Sequence, residues 1–484
     1  MAKRVHRHVH CIVPNPELSA VLLLPTQNGW MLPVNEYRLR SRVTDERMVC
    51  DDVLRALSLH QPPIPILSFL YRAYITNYRK TETELKSDEV WVMETRHPIK
   101  FPGDVRWVSK KELEDNNIEL CSELNCTREV LIKYFEYQLQ SKLPDRRPPW
   151  RKHGWFAWVL GWVKGVLCDH FNDAKVSSVL PIWNKAMAQI LKFETLSHGA
   201  FYLKATHPGV EEPQITKVLW DLFPRRVPRV LASESNRNVM LMGDFTATHR
   251  ELCAVQPDMF VTVFQSYGKM QLEAMELLKH SEVSAAIPKS MMWPPSALAD
   301  RIGDVLEHSE VQAQLSKAEL EEFQEKLPMW VSTCTSLENA GVPCTIVHRD
   351  LYVRNFAKPL LEGGECLFFD WTLGCVTHPF IGLHQLRDKV GKKSLTEADV
   401  DLYLAMWRDY EPDMSKLRRM EAMAAMVRHI LGAVGVLELS KFFEVAEQRR
   451  YVTIEQINWQ GCFLNATRSL RALATLGDPM LVNK

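Results

Sequence analysis

Apolar residues along this chain change period several times, and each change predicts an element. Residues 11–24, CIVPNPELSAVLLL, form two β-like runs around a Pro-Asn-Pro turn. The polar stretch Thr44–Leu59 carries Val49, Val53, Leu54 and Leu57 at helical spacing. Residues 64–78, 89–95 and 105–108 read as strands, and Ser109 before KKELED is an N-cap signal with early acidic residues. This β-β-α-β-β-β-α order predicts a small α/β domain over 1–140, followed by a Pro- and charge-rich linker at 141–150. Residues 152–168 place Trp155, Trp158, Val159 and Trp162 on one face of a helix docked on a domain. From Ala188 the pattern changes again. AQILKFET and AFYLKATH read as strands joined by Leu196–Gly199, and a helix over 212–222 starts at Pro213. Short strands at 230–232 and 239–242 precede a mostly helical stretch from 249 to 340, and Cys344–Val347 and Cys366–Phe369 are apolar islands. The last hundred residues read as helical. A small β-rich lobe therefore precedes a large helical one.

Composition narrows the picture without choosing a function. The chain has 484 residues, 46% apolar and 24% charged, which is ordinary for a globular protein with a substantial core. Lys plus Arg and Asp plus Glu are both 59, so no global field draws the chain to nucleic acid or an anionic membrane. Its 11 cysteines form no CxxC pair, and their spacing gives neither a zinc signature nor a disulfide framework. The N-terminal residues lack an apolar core like that of a signal peptide. The longest apolar stretch, 154–168, is broken by Lys164 and too short to span a bilayer. These features predict a cytoplasmic protein without nucleic-acid or membrane partners.

The informative stretch is Thr345-Ile-Val-His-Arg-Asp-Leu-Tyr-Val-Arg-Asn-Phe356, followed by a glycine turn and Cys366-Leu-Phe-Phe-Asp-Trp371. A hairpin closed around Glu362–Gly364 would set Leu361 opposite Glu365 and Phe356 opposite Asp370. Asn355 and Asp370 then meet at its open end, neighbouring positions lying about 4.5–8 Å apart. An amide oxygen and a carboxylate so placed suit Mg²⁺, which takes oxygen ligands and keeps waters and phosphates. Asp350 could accept a proton from an incoming hydroxyl. These are the parts phosphoryl transfer requires.

HRDLYVRN followed by FFDW resembles the catalytic loop and metal-binding aspartate of the aminoglycoside phosphotransferase/choline kinase-like family, within the protein-kinase-like fold. That loop usually reads HGDLHxxN; here Arg349 replaces the glycine and Tyr352 the second histidine, while Asp350, Asn355 and Asp370 keep the spacing. The resemblance implies a bilobal α+β fold, with a small lobe over 183–245 and a helical large lobe over 246–484, the Trp-rich helix lying in 141–182. It implies ATP and Mg²⁺ as cofactors and a small-molecule hydroxyl as acceptor. Lys204 would meet the nucleotide phosphates and Glu212 would hold that lysine. The segment Val239–Asp244, with Met240 and Met242, would border the adenine as the hinge. Thr377-His378-Pro379-Phe380 resembles a structural segment opening the next helix.

Two departures stand beside the resemblance. The turn Trp183–Ala188, where a phosphate-covering loop belongs, has no glycine. A pseudokinase-like nucleotide-binding or scaffold protein is therefore the alternative reading; protein-kinase activity ranks third, since no APE-like segment follows Asp370 at activation-loop distance. GWMLP and DVRWVSKKELED resemble the Nudix fold more distantly, and the helix Asp45–Asp52 lacks the Nudix metal-ligand pattern. The expectation is a catalytically degenerate Nudix-like domain, with Asp51 and Asp52 forming an exposed face or a residual metal site.

Overall fold

Strand pairing and burial follow the predicted periods closely in the computed structural model. It describes residues 4–39, 46–57, 59, 62–65, 67–79, 84–95, 104–121, 127–139, 148–172, 174–184, 187–208, 210–251, 259–352, 354–361, 364–384, 396–443 and 456–477. Parts of three sequence-predicted features, the linker at 141–147, Lys185–Ala186 and Glu362–Gly363, lie outside the described residues. The chain divides into two compact units: Met1–Ala200 with Phe443–Asn458, and Phe201–Phe442 with Trp459–Lys484.

In the first unit, β1 (Arg4–Ile12), β2 (Ala20–Thr26), β3 (Gly29–Met31) and β4 (Val34–Leu39) precede α1 (Glu46–Ala56). Then come β5 (Leu67–Arg79), β6 (Glu84–Thr95), β7 (Arg106–Ser109), α2 (Lys110–Glu114) and α3 (Thr127–Leu139). One sheet has the order β4-β1-β6-β5 and a second the order β3-β2-β7. Strand β6 is buried on both faces: Val90 and Val92 pack with Leu131 and Phe135 of α3, while Trp91 and Met93 pack with Val49 and Val53 of α1. Period-2 alternation thus serves two apolar layers at once. Ser109 caps α2 through a reciprocal bond with Glu112, as its sequence signals. Asp52 is held by the Tyr37 hydroxyl (2.9 Å) and Arg55 (2.5 Å).

Helix α4 (Trp155–His170) buries Trp155, Phe156, Val159, Val163 and Leu167. This corrects the predicted face. Trp158 and Trp162 lie on its partly exposed side, ring centroids 6.0 Å apart, because an i, i+4 stripe from Trp155 passes through Val159 and Val163 instead. Strands β8 (Val176–Asn184) and β9 (Ala188–Thr195) pair antiparallel.

In the second unit, β10 (Ala200–Thr206), α5 (Glu212–Leu222), β11 (Val230–Glu234) and β12 (Val239–Gly243) build an antiparallel sheet in the order β10-β12-β11. The short strand β13 (His249–Glu251) comes next, where the sequence predicts helix, followed by α6 (Met259–Leu278). Four short helices, α7–α10 (Ser281–Ala286, Pro295–Ala299, Ile302–Glu307, Ser309–Gln312), lead to α11 (Lys317–Glu338). Strands β14 (Thr345–Val347), β15 (Phe356–Pro359), β16 (Leu367–Phe368) and β17 (Cys375–Thr377) carry the predicted loop motifs. The helices α12 (Glu397–Ala405), α13 (Met414–Phe443) and α14 (Gln456–Ala474) follow. One core joins Ile215 and Leu219 of α5 to Tyr267, Trp330, Phe368, Trp371, Trp407 and residues of α13 and α14. The segment Met414–Ser440 is long and apolar enough to cross a membrane by length and composition. Its Leu417, Ala424, Val427, Ile430 and Leu431 are fully buried in that core. The eight described cysteines are free thiols, five of them buried.

Candidate active site

The site is built from three short backbone features of the second unit. The first is the β14–β17 pair, which sets Val347 opposite Cys375 and so fixes where the loop after Val347 begins. That loop turns sharply: Arg349 has φ 58° and the Asp350 amide donates to the His348 carbonyl at 2.8 Å. A left-handed turn is cheapest for glycine, so Arg349 holds a conformation its side chain makes costly. Its guanidinium is turned inward, with Nη2 3.3 Å from the Leu431 carbonyl of α13, and it bonds the Cys375 thiol. Burial lowers the guanidinium pKa, and the thiol opposes that shift.

The second feature is the β15–β16 hairpin. Phe356 pairs with Phe368 and Ala357 with Leu367, so the predicted register is corrected by two residues. The outer edge of β15 explains the slip: β13 pairs there, and the Leu360 amide donates to the Thr248 carbonyl at 2.9 Å, drawing Leu360 out of the hairpin. A two-residue slip leaves every side chain on its original face. Asn355 therefore still neighbours the Asp370 segment, and the Phe369 amide donates to the Asn355 carbonyl at 3.0 Å.

Asn355 is 3% exposed. Its Nδ2 donates to the Asp350 carbonyl (2.8 Å) and to Asp350 Oδ2 (3.0 Å). The amide nitrogen thus faces Asp350, and its oxygen is directed elsewhere. His348 ties the two segments together. Its Nδ1 accepts from the Asp350 amide at 3.3 Å, which leaves Nε2 as the protonated nitrogen, 2.8 Å from the Phe369 carbonyl. The ring lies 4.5 Å from that of Trp371.

The third feature is the meeting of β10, α5 and the turn at Asp370. Lys204 Nζ donates to Glu212 Oε1 and to Asp370 Oδ1, both at 2.7 Å. Lys204 is 5% exposed and Glu212 1%. Asp370 has φ 64°, another left-handed non-glycine residue, and its side chain is 40% exposed. The Thr372 hydroxyl, two residues on, lies 2.6 Å from Glu212 Oε2 and 2.7 Å from Asp370 Oδ1. Burial alone would lower the lysine pKa, but the Glu212 and Asp370 carboxylates outweigh it and hold the ammonium above its ordinary value. Burial raises the Glu212 pKa against the pull of Lys204. At Asp370 burial is outweighed by Lys204 and Thr372, and the carboxyl stays below its usual range. With both carboxylates ionised, one ammonium faces two negative charges.

The sequence-predicted residues thus fall into two linked groups. Lys204, Glu212 and Asp370 touch directly, as do Asp350 and Asn355, and Phe369 joins the groups through its amide and its carbonyl. Met240 lies opposite Lys204 and Met242 opposite Tyr202 in the β10–β12 register. Because β12 is paired along both edges, the backbone of Met240 and Met242 is engaged within the sheet. The Gly243 amide donates to the Arg229 carbonyl, so Asp244 and Phe245 are the next backbone groups beyond the strand. Thr372 and the His348 tether were missed as site residues.

Among the described residues, no group of three or more His, Cys, Asp or Glu stands ready to hold a metal ion. The donor set here is smaller and harder: Asn355 Oδ1, turned away from Asp350, and Asp370 Oδ2, the oxygen not bonded to Lys204. Two oxygen donors beside an excess negative charge fit Mg²⁺, which draws its remaining ligands from phosphates and water.

No known family's sequence model matches the chain, and no curated protein matches it. Among solved structures, it is similar to an ethanolamine kinase from Plasmodium vivax, with TM-score 0.44 and 12% identity over 78% of this chain and 96% of that one. It is also similar to the choline kinase LicA from Streptococcus pneumoniae, with TM-score 0.41 and 12% identity over 65% and 99% of the two chains. A third is an aminoglycoside phosphotransferase, APH(2")-IIIa, in complex with GDP and kanamycin, with TM-score 0.43 and 11% identity over 64% and 98%.

Proposed function

We propose that this chain is a phosphotransferase that moves the γ-phosphate of ATP to a hydroxyl group of a small molecule. The observation that carries the reading is the double grip of Lys204 on Glu212 and Asp370, in a cluster whose chain neighbour, Phe369, is bonded to the Asp350–Asn355 loop. In this reading Glu212 holds Lys204 charged and extended, and Lys204 steadies the nucleotide phosphates. Asn355 and Asp370 hold Mg²⁺, which when bound supplies charge compensation for the transferring phosphoryl group. Asp350, oriented by the Asn355 amide, accepts the proton of the attacking hydroxyl. Met240 and Met242 belong to the strand that leads to the adenine side. The first unit contains the degenerate Nudix-like domain, and the protein works in the cytoplasm with a soluble acceptor.

One observation favours the second reading, a pseudokinase-like scaffold. Lys204 lies directly on the carboxylate assigned to the metal. Turnover separates the two. Purified protein with Mg-ATP and a panel of hydroxylated metabolites and aminoglycosides should release ADP with at least one acceptor. Asp350→Asn should lower that rate by about 10²–10⁴-fold while Mg-ATP still raises the melting temperature. ADP release by the variant at the wild-type rate would remove Asp350 from the chemistry. Absence of release with every acceptor, together with no thermal shift, would leave the scaffold.

A further inference from the structure

We propose that Arg226 is a positioning residue for this site, setting the hairpin whose two ends carry Asn355 and Asp370. The proposal rests on the phosphotransferase reading. Arg226 lies in the turn between α5, which carries Glu212, and β11, and it is 6% exposed. Its carbonyl accepts the Phe368 amide at 2.8 Å. Its guanidinium grips Glu273 of α6 in a bidentate pair (2.7 and 3.0 Å) and bonds Glu365 Oε1 at 2.5 Å. Arg225 Nε lies 3.4 Å from the other Glu365 oxygen.

Glu365 opens the returning arm of the hairpin, and that arm is held at three further points. The His249 ring lies 3.1 Å from the Glu365 carbonyl, the Cys366 amide donates to the Ser266 hydroxyl at 3.2 Å, and Phe368 bonds Arg226 as above. Two residues past Phe368 comes Asp370. One buried arginine therefore binds, through side chain and backbone, the segment leading from Glu212 and the arm leading to Asp370. The planar fork of a guanidinium can hold two carboxylates at fixed angles, which a lysine cannot.

A purely stabilising salt bridge is the rival explanation, and exposure helps separate the two. The Glu273 side chain is 54% exposed and that of Glu365 29%, so both can be hydrated when the arginine is removed. Truncation strands no fully buried charge. What it removes is the constraint on where the arm lies, and small displacements of reacting groups cost rate steeply.

The test is a Mg²⁺ titration of ADP release at saturating nucleotide and acceptor, alongside circular dichroism of each variant. Wild-type protein comes first: if it shows no turnover, the phosphotransferase reading fails and the clamp is not at issue. With wild-type turnover, Arg226→Ala should lower kcat and raise the Mg²⁺ concentration for half-maximal rate by about tenfold, with Arg226→Lys between the two. Glu365→Gln, which keeps the hairpin backbone, should shift the Mg²⁺ midpoint in the same direction by a smaller factor, and it decides the question if Arg226→Ala does not fold. Mg²⁺ midpoints within twofold of wild type in the folded variants would overturn the proposal, whatever happens to their melting temperatures.

Discussion

Thr372 shows how much of this site is decided by single atoms. Its hydroxyl has one proton, yet it lies within 2.7 Å of both Glu212 Oε2 and Asp370 Oδ1, with Lys204 Nζ at 3.4 Å. It can donate to only one carboxylate at a time while accepting from the lysine. The buried Glu212 carboxylate has few other donors, so replacing the hydroxyl by a methyl leaves it under-satisfied. Thr372→Val preserves shape and should cost about 1–3 kcal/mol in the arrangement of the cluster. The expected result is a turnover loss of about tenfold or more with a raised KM for Mg-ATP, read by steady-state kinetics. Unchanged kcat and KM would show that Lys204 alone organises the two carboxylates. The pair Lys204–Glu212 was expected through the family resemblance, which sets a strand lysine beside an acid opening the next helix, and the two side chains do meet. Thr372 was not legible. Its hydroxyl reaches Glu212 only because Asp370 takes a left-handed conformation, and nothing in the local sequence announces that turn at a non-glycine residue.

At the scale of elements, the sequence located the hairpin but misplaced its register. Counting back from Gly363–Gly364 closes the tightest turn. In the folded chain β13 claims the outer edge of β15, and Arg226 claims the amide of Phe368. Both partners are more than a hundred residues away in sequence, so no local pattern could reveal them. The placement of Asn355 beside the Asp370 segment survived because period 2 forgives a slip of two. The α4 error has the opposite character: tryptophan was taken as the buried residue, whereas valine and leucine at i, i+4 spacing fill the contact. Helix α13 exerts a subtler control. A Cβ on Gly435 would lie 2.8 Å from Arg349 Nη2, so this glycine is the gap that admits the guanidinium behind the loop that follows Val347. Gly435→Val should force Arg349 out of its place and lower turnover by more than tenfold, since the displaced residue directly precedes Asp350. The double variant Gly435→Val/Arg349→Gly, which restores space and relieves the left-handed residue, should recover part of that loss. If the double variant were no better than the single one, the effect of valine would lie in α13 packing and not in the loop.

Across the whole molecule, the large apolar core of the second unit sets a consequence for acid stability. His378 follows β17 and is fully buried. Its Nδ1 accepts the Phe380 amide at 3.4 Å, and its ring packs edge-on against Phe380, 4.9 Å between centroids. Among the described residues, the Nε2 atom finds no hydrogen-bond partner. Burial pushes the imidazole pKa down to about 3. Between that value and the ordinary one near 6.5 the unfolded chain binds a proton that the folded chain does not, so unfolding takes up a proton and stability rises with pH. Lowering the pH through this window should therefore cost the fold about 1.4 kcal/mol per unit from this residue alone. Carboxylates held low by their partners, Asp370 among them, add their own losses in acid, so the absolute slope belongs to many groups. A difference isolates the histidine. His378→Asn keeps an acceptor for the Phe380 amide and cannot titrate. Urea unfolding at pH 6.5, 5.5 and 4.5 should show wild type losing about one proton-equivalent more stability per pH unit than the variant. Parallel slopes would mean that the folded core tolerates a charged His378, and the apolar seal around β17 would then be looser than its burial indicates.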